Sequence, residues 1–114
     1  MSRVSTLAAT HVRDAAPLFA ALGDETRIRL LVRLSQNGPE SIARLSAKST
    51  STRQSITKHL DVLAKAGLVR DERRGRERIW RIEQKRLDEA RAYLERISRL
   101  WDDALGRLKD AVED

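Results

Sequence analysis

The stretch STRQSITKHLDVLAKAGLV (51–69) begins with hydroxyl, amide and basic side chains and then turns apolar. Thr52, Arg53, Gln54, Thr57 and Lys58 offer the groups that hydrogen-bond base edges and phosphate oxygens in a major groove. At about 100° per residue, Gln54, Thr57, Lys58, Asp61 and Lys65 share one helix face, opposite Ile56, Leu60 and Leu63. The free amides of the helix start add partial positive charge for phosphate. The plainer alternative is a capped turn, because Ser and Thr favour caps for local reasons. Asp61 is the anion on that face. It repels phosphate unless it pairs with Lys58 or Lys65, or accepts from a cytosine amine.

A second cluster follows in LVRDERRGRERIWRI (68–82), which reads as two short strands around Arg74-Gly75-Arg76, with Trp80 and Ile82 on one face. Arg73, Arg74 and Arg76 crowd a single turn. Either they meet an anion such as phosphate, or they only blunt an exposed strand edge. No nucleophile–base–acid set and no phosphate-cradling glycine loop is present, so the chain is not expected to be an enzyme. There is no cysteine and only two histidines, His11 and His59, so no metal site or cofactor is expected. His59 is expected to be packed at the edge of the apolar stripe, and His11 to be solvated.

Length and charge suit these clusters. The 114 residues make one domain with some extension, and the net charge is +6. Residues 1–81 hold 16 Lys+Arg against 8 Asp+Glu, and residues 82–114 hold 7 against 9. A polyanionic partner would therefore be held by the first two thirds. No apolar run approaches the ~20 residues of a membrane span. MSRVSTLAAT lacks the apolar core of a signal peptide, so no membrane partner and a cytoplasmic location are expected.

The elements that must position the clusters are mostly helical. Residues 1–10 read as a flexible arm. Val12, Ala15, Phe19 and Leu22 form one stripe of a first helix, which stops at Gly23. Asp24 caps a second helix with Ile28, Leu31 and Leu34 inward and Arg27, Arg29 and Arg33 off the stripe. Asn37-Gly38-Pro39 breaks it, a short helix fits Ser41–Lys48, and Thr52 caps the helix quoted above. Gly67 supplies a left-handed stop that Leu68 closes over. From Gln84 to Asp114, Leu87, Ala90, Leu94, Ile97, Trp101, Ala104, Leu108 and Ala111 alternate spacings of three and four. Its seam can fold back within the chain onto the Val12–Leu22 stripe, but a rod that long outruns the small helices before it, and its leftover face calls for a second chain. Gly106 falls on its outward side.

Helix, short helix, tight turn, helix and arginine-tipped hairpin is the order of a winged helix-turn-helix. ALGDETRIRLL (21–31), RQSITKHLDVLAKAGLV (53–69) and RRGRERIWRI (73–82) resemble the ArsR family of bacterial transcriptional regulators, over roughly residues 12–82. The tail, with Trp101-Asp102-Asp103-Ala104-Leu105, is similar to a cysteine-free branch of it. The resemblance implies an α+β, mostly helical fold, with a two-stranded wing on a DNA-binding domain (11–83) and a C-terminal dimerisation helix (84–114). It implies a homodimer that represses from a palindromic operator in double-stranded DNA, through Arg53, Gln54, Thr57 and Lys58 with Arg73, Arg74 and Arg76. The interface would use Val12, Ala15, Phe19, Leu94, Ile97, Trp101, Leu105 and Leu108. The family's metal sensors carry a cysteine pair in the short helix, where this chain has SIARLSAKS. No small-molecule effector is indicated. A protein-interaction module on the same scaffold, docking through the long helix, is the alternative.

Overall fold

Capping sets most of the element boundaries. In the computed structural model, which describes the backbone of residues 3–113 and side chains of residues 12–113, α1 (Arg3–Leu22) leads into α2 (Glu25–Asn37). The Asp24 carboxylate accepts from the Arg27 amide at 3.0 Å and starts α2. After the strand β1 (Glu40–Ser41), the Ser41 hydroxyl starts α3 (Ile42–Ala47) in the same way. Thr52 accepts from the Ser55 amide at 3.1 Å and starts α4 (Arg53–Lys65). Gly67, at φ 79°, lets the Leu68 amide reach back to the Leu63 carbonyl, and Leu68 closes over the last turn fully buried.

The wing is β2 (Val69–Arg74) and β3 (Glu77–Ile82), joined through Gly75 and Arg76. Gly75 has φ 64° and Arg76 has no positive φ, the pattern of a type II′ turn, which pairs Arg74 with Glu77. α5 (Gln84–Glu113) completes the chain.

One core joins these pieces. Leu18 and Ala21 of α1 meet Leu30, Leu31 and Leu34 of α2, Leu45 of α3, Ile56, Leu60 and Leu63 of α4, and Trp80 of β3. α4 therefore turns its apolar stripe inward, as its spacing predicts, and its polar face outward.

The two-stranded wing and the α1 stripe are each extended by the structure, and two other expectations are corrected. The sheet has three strands, in the order β1-β3-β2, because Glu40 and Ser41 pair antiparallel with Trp80 and Ile79. The inward face of α2 is Leu30, Leu31 and Leu34, whereas Ile28 is 46% exposed. Steps of three drift by about 60° each, so a stripe through 28, 31 and 34 leaves the face it started on. In α1 the core side is Ala15, Leu18 and Ala21, and Val12 is exposed. α1 also begins at Arg3, so the backbone of residues 3–10, expected as an arm, is helical. The side chain of His11 lies outside the described residues.

α5 is different in kind. Ala90 is its buried residue, and beyond Tyr93 every described side chain is exposed. The chain measures 66 × 28 × 20 Å, and its body leaves the distal half of α5 bare.

Candidate nucleic-acid interface

The polar end of α4 stands clear of the body. Thr52, Arg53, Gln54 and Lys58 are exposed and Thr57 is half-buried. The Thr57 hydroxyl donates back to the Arg53 carbonyl at 2.9 Å, which uses its proton and leaves it an acceptor for other donors. Arg53, Gln54, Thr57 and Lys58 line one shallow concavity. Arg53 and Thr57 also line a second, of about 250 Å³, with Ile42, Arg73, Arg76, Arg78 and Trp80. The structure thus brings the start of α4 and the wing onto one continuous basic surface. Among the described residues, Arg53, Lys58, Arg73 and Arg76 have no ion pair. Cations so placed keep their full charge for an incoming anion.

Arg74 is set differently. Its guanidinium lies 3.1 Å from Glu72, which also takes Arg81 at 2.9 Å. An exposed pair of this kind is worth about 0–1 kcal/mol and is readily exchanged for another anion.

Arg78 is the member that sequence reasoning missed. Its Nε donates to Asp71, its guanidinium lies 4.6 Å from the Trp80 ring centroid, and its Nη2 is 3.7 Å from Asp61. Asp61 therefore pairs across to the wing, rather than with Lys58 or Lys65. The signal was available: a two-residue turn sets Arg73 opposite Arg78, which makes Asp71 a diagonal neighbour of Arg78.

Behind this face, His59 is packed as expected. Its Nδ1 lies 3.4 Å from Arg27 Nη1 and 3.7 Å from an Asp24 oxygen. Arg27 also donates to the carbonyls of Ala21 and Ala20, tying the start of α2 to the end of α1. The backbone hydrogen bond from Arg27, with the charges of Arg27 and His59, holds the Asp24 carboxyl below its usual value against a smaller opposing effect of burial.

The apolar candidates divide between two environments. Leu94, Ile97, Trp101, Leu105 and Leu108 are exposed along α5, as is Val12 on α1. Ala15 is buried within the chain, and Phe19 is half-covered by Tyr93, 5.8 Å between ring centroids. Among the described residues, no group of three His, Cys, Asp or Glu side chains could hold a metal ion. No described helix is long and apolar enough to cross a membrane.

A helix-turn-helix domain family model matches residues 22–72. An uncharacterized HTH-type transcriptional regulator of Bacillus subtilis is 40% identical, over 54% of this chain and 74% of that protein. The solved structure of an ArsR-like transcriptional regulator from Rhodococcus sp. RHA1 is 37% identical with a TM-score of 0.76, covering 86% of this chain and 92% of that one. This chain belongs to the ArsR family. It is a transcriptional regulator with a winged helix-turn-helix DNA-binding domain, and unlike the family's cysteine-paired metal sensors it has no cysteine. The ArsR fold recurs in the solution structure of a homodimeric winged helix-turn-helix DNA-binding domain from Mycobacterium bovis. That structure is 22% identical with a TM-score of 0.62, covering 94% of this chain and 93% of that one.

Proposed function

We propose that this regulator is a cytoplasmic homodimer that represses transcription by occupying a palindromic operator. The observation that carries the reading is the basic surface running from the first turns of α4 to the wing, with Arg53 and Thr57 common to both of its concavities. α4 enters the major groove, where Gln54 and Thr57 read base edges while Arg53 and Lys58 hold phosphates. Arg73, Arg74 and Arg76 then hold phosphates from the wing.

The dimer reading is supported by the bare apolar face of α5, where Leu94, Ile97, Trp101, Leu105 and Leu108 are all exposed, since grouped exposed apolar residues mark interaction sites. The homodimeric state of the Mycobacterium bovis domain points the same way. Two α4 helices related by a two-fold axis would meet major grooves about 34 Å apart, one turn of DNA. Repression follows from the resemblance to the family, through exclusion of other proteins from the occupied site.

Selection of bound fragments from a random duplex pool at two ionic strengths, with sedimentation of the free protein, tests this. The expected result is a palindromic consensus, an affinity that falls steeply with salt, and a sedimenting species of two chains. A single chain in solution, or enrichment of no common sequence, would overturn it. Reporter output that rises when the regulator is supplied would overturn repression alone.

A further inference from the structure

Asp61 is an anion on a face otherwise suited to phosphate. It is half-exposed, and instead of pairing along its own helix it reaches across to the wing, 3.7 Å from Arg78 Nη2. That distance is too long for a hydrogen bond, so the contact is a Coulomb attraction between two partly exposed groups. Arg78 is otherwise well held, with Nε donating to Asp71 and Trp80 against its plane. Its outer nitrogens are thus the part of the group left to choose between Asp61 and another anion. Arg78 also lines the concavity shared by Arg53, Arg73 and Arg76, where a backbone phosphate would sit.

We infer that Asp61 is a specificity-determining residue: it occupies Arg78 and so lowers the affinity of the reading surface for DNA of arbitrary sequence. This rests on the α4-and-wing reading above. In register, Asp61 faces base edges, where a cytosine amine can donate to it. Out of register, the protein rides on the sugar–phosphate backbone, and the same carboxylate meets phosphate while withholding one cation. Specificity is a difference of affinities, and a repulsive element that penalises the wrong complex contributes to it directly.

The test is a double-mutant cycle on the full chain, with Asp61→Asn and Arg78→Gln alone and together. Fluorescence anisotropy measures affinity for a mixed-sequence duplex and for the selected operator, each across a salt series. Asp61→Asn is expected to tighten mixed-sequence binding several-fold and to steepen the log–log salt slope by about one unit, for the one phosphate that Arg78 gains. The ratio of operator to mixed-sequence affinity should fall. In the Arg78→Gln background the same change should leave the slope unaltered. An Asp61→Asn protein that melts like the wild type yet binds mixed sequence no more tightly overturns the inference. So does a gain of equal size with Arg78 absent. A wild-type chain without salt-dependent duplex affinity sinks the underlying DNA reading, and this inference with it.

Discussion

Arg33 Nε donates to Glu40 Oε2 at 2.7 Å, and Glu40 is 5% exposed. The pair ties α2 to β1, and Arg33 Nη1 and Nη2 also donate to the carbonyls of Leu45 and Arg44 in α3. One guanidinium therefore fastens three elements beneath the helix-turn-helix. Removing it strands a buried carboxylate, which costs about 3 kcal/mol or more. Arg33→Met should lower the unfolding free energy by that amount, read as a lower urea midpoint at unchanged m-value. Adding Glu40→Leu should recover only part of the loss, because the α3 carbonyls stay without their donor. A single-variant loss below about 1 kcal/mol would show the pair to be peripheral.

The wing arginines should not be equivalent. Arg76 has no ion pair among the described residues, whereas Arg74 is paired with Glu72 and would have to exchange it for phosphate. Arg76→Ala should flatten the salt slope by about one unit and weaken all duplexes alike, and Arg74→Ala should do less. Filter-binding titrations between low and moderate salt give both slopes.

The bare face of α5 gives an optical prediction. Trp80 is buried at 1% exposure and Trp101 is 64% exposed, so pairing of chains changes the surroundings of Trp101 alone. Emission should shift to shorter wavelength as concentration rises through the dimer dissociation constant. Leu105→Glu with Leu108→Glu should abolish the shift, leave a monomer by light scattering, and reduce operator affinity at least tenfold.

Acid should loosen the start of α2. The folded-state pKa of Asp24 lies below its unfolded value, chiefly through the hydrogen bond from the Arg27 amide. Its contribution is therefore complete above the unfolded value and is lost as pH falls through the folded one. Asp24→Asn keeps a capping oxygen and does not titrate. Melting temperatures of the two proteins should differ near neutral pH and converge toward pH 2, and a constant difference would exclude this linkage.

What could be read from the residues was whatever a period or a cap announces. Ile56, Leu60 and Leu63 are one face of one helix, and the structure buries all three. Thr52 and Gly67 mark its ends by their own chemistry, a side-chain acceptor and a left-handed backbone. β1 was not legible, because two residues carry no period and Glu40 is charged. It is a strand only because Trp80 and Ile79 present an open edge. Arg33 reads from its spacing only as lying off the apolar stripe, because its carboxylate partner is met only after the chain has turned at Gly38. The basic face of α4 was legible, but its join to Arg78 and Asp61 depends on where the wing folds back.

The uncovered end of α5 also bears on supply. A lone helix of a few turns is marginal in water, whatever its propensity. In a molecule that pairs as proposed, the far turns of this rod set firmly only when another copy is near, and they fray on dilution. DNA occupancy would then climb with roughly the second power of protein abundance, a threshold present before any inducer is considered.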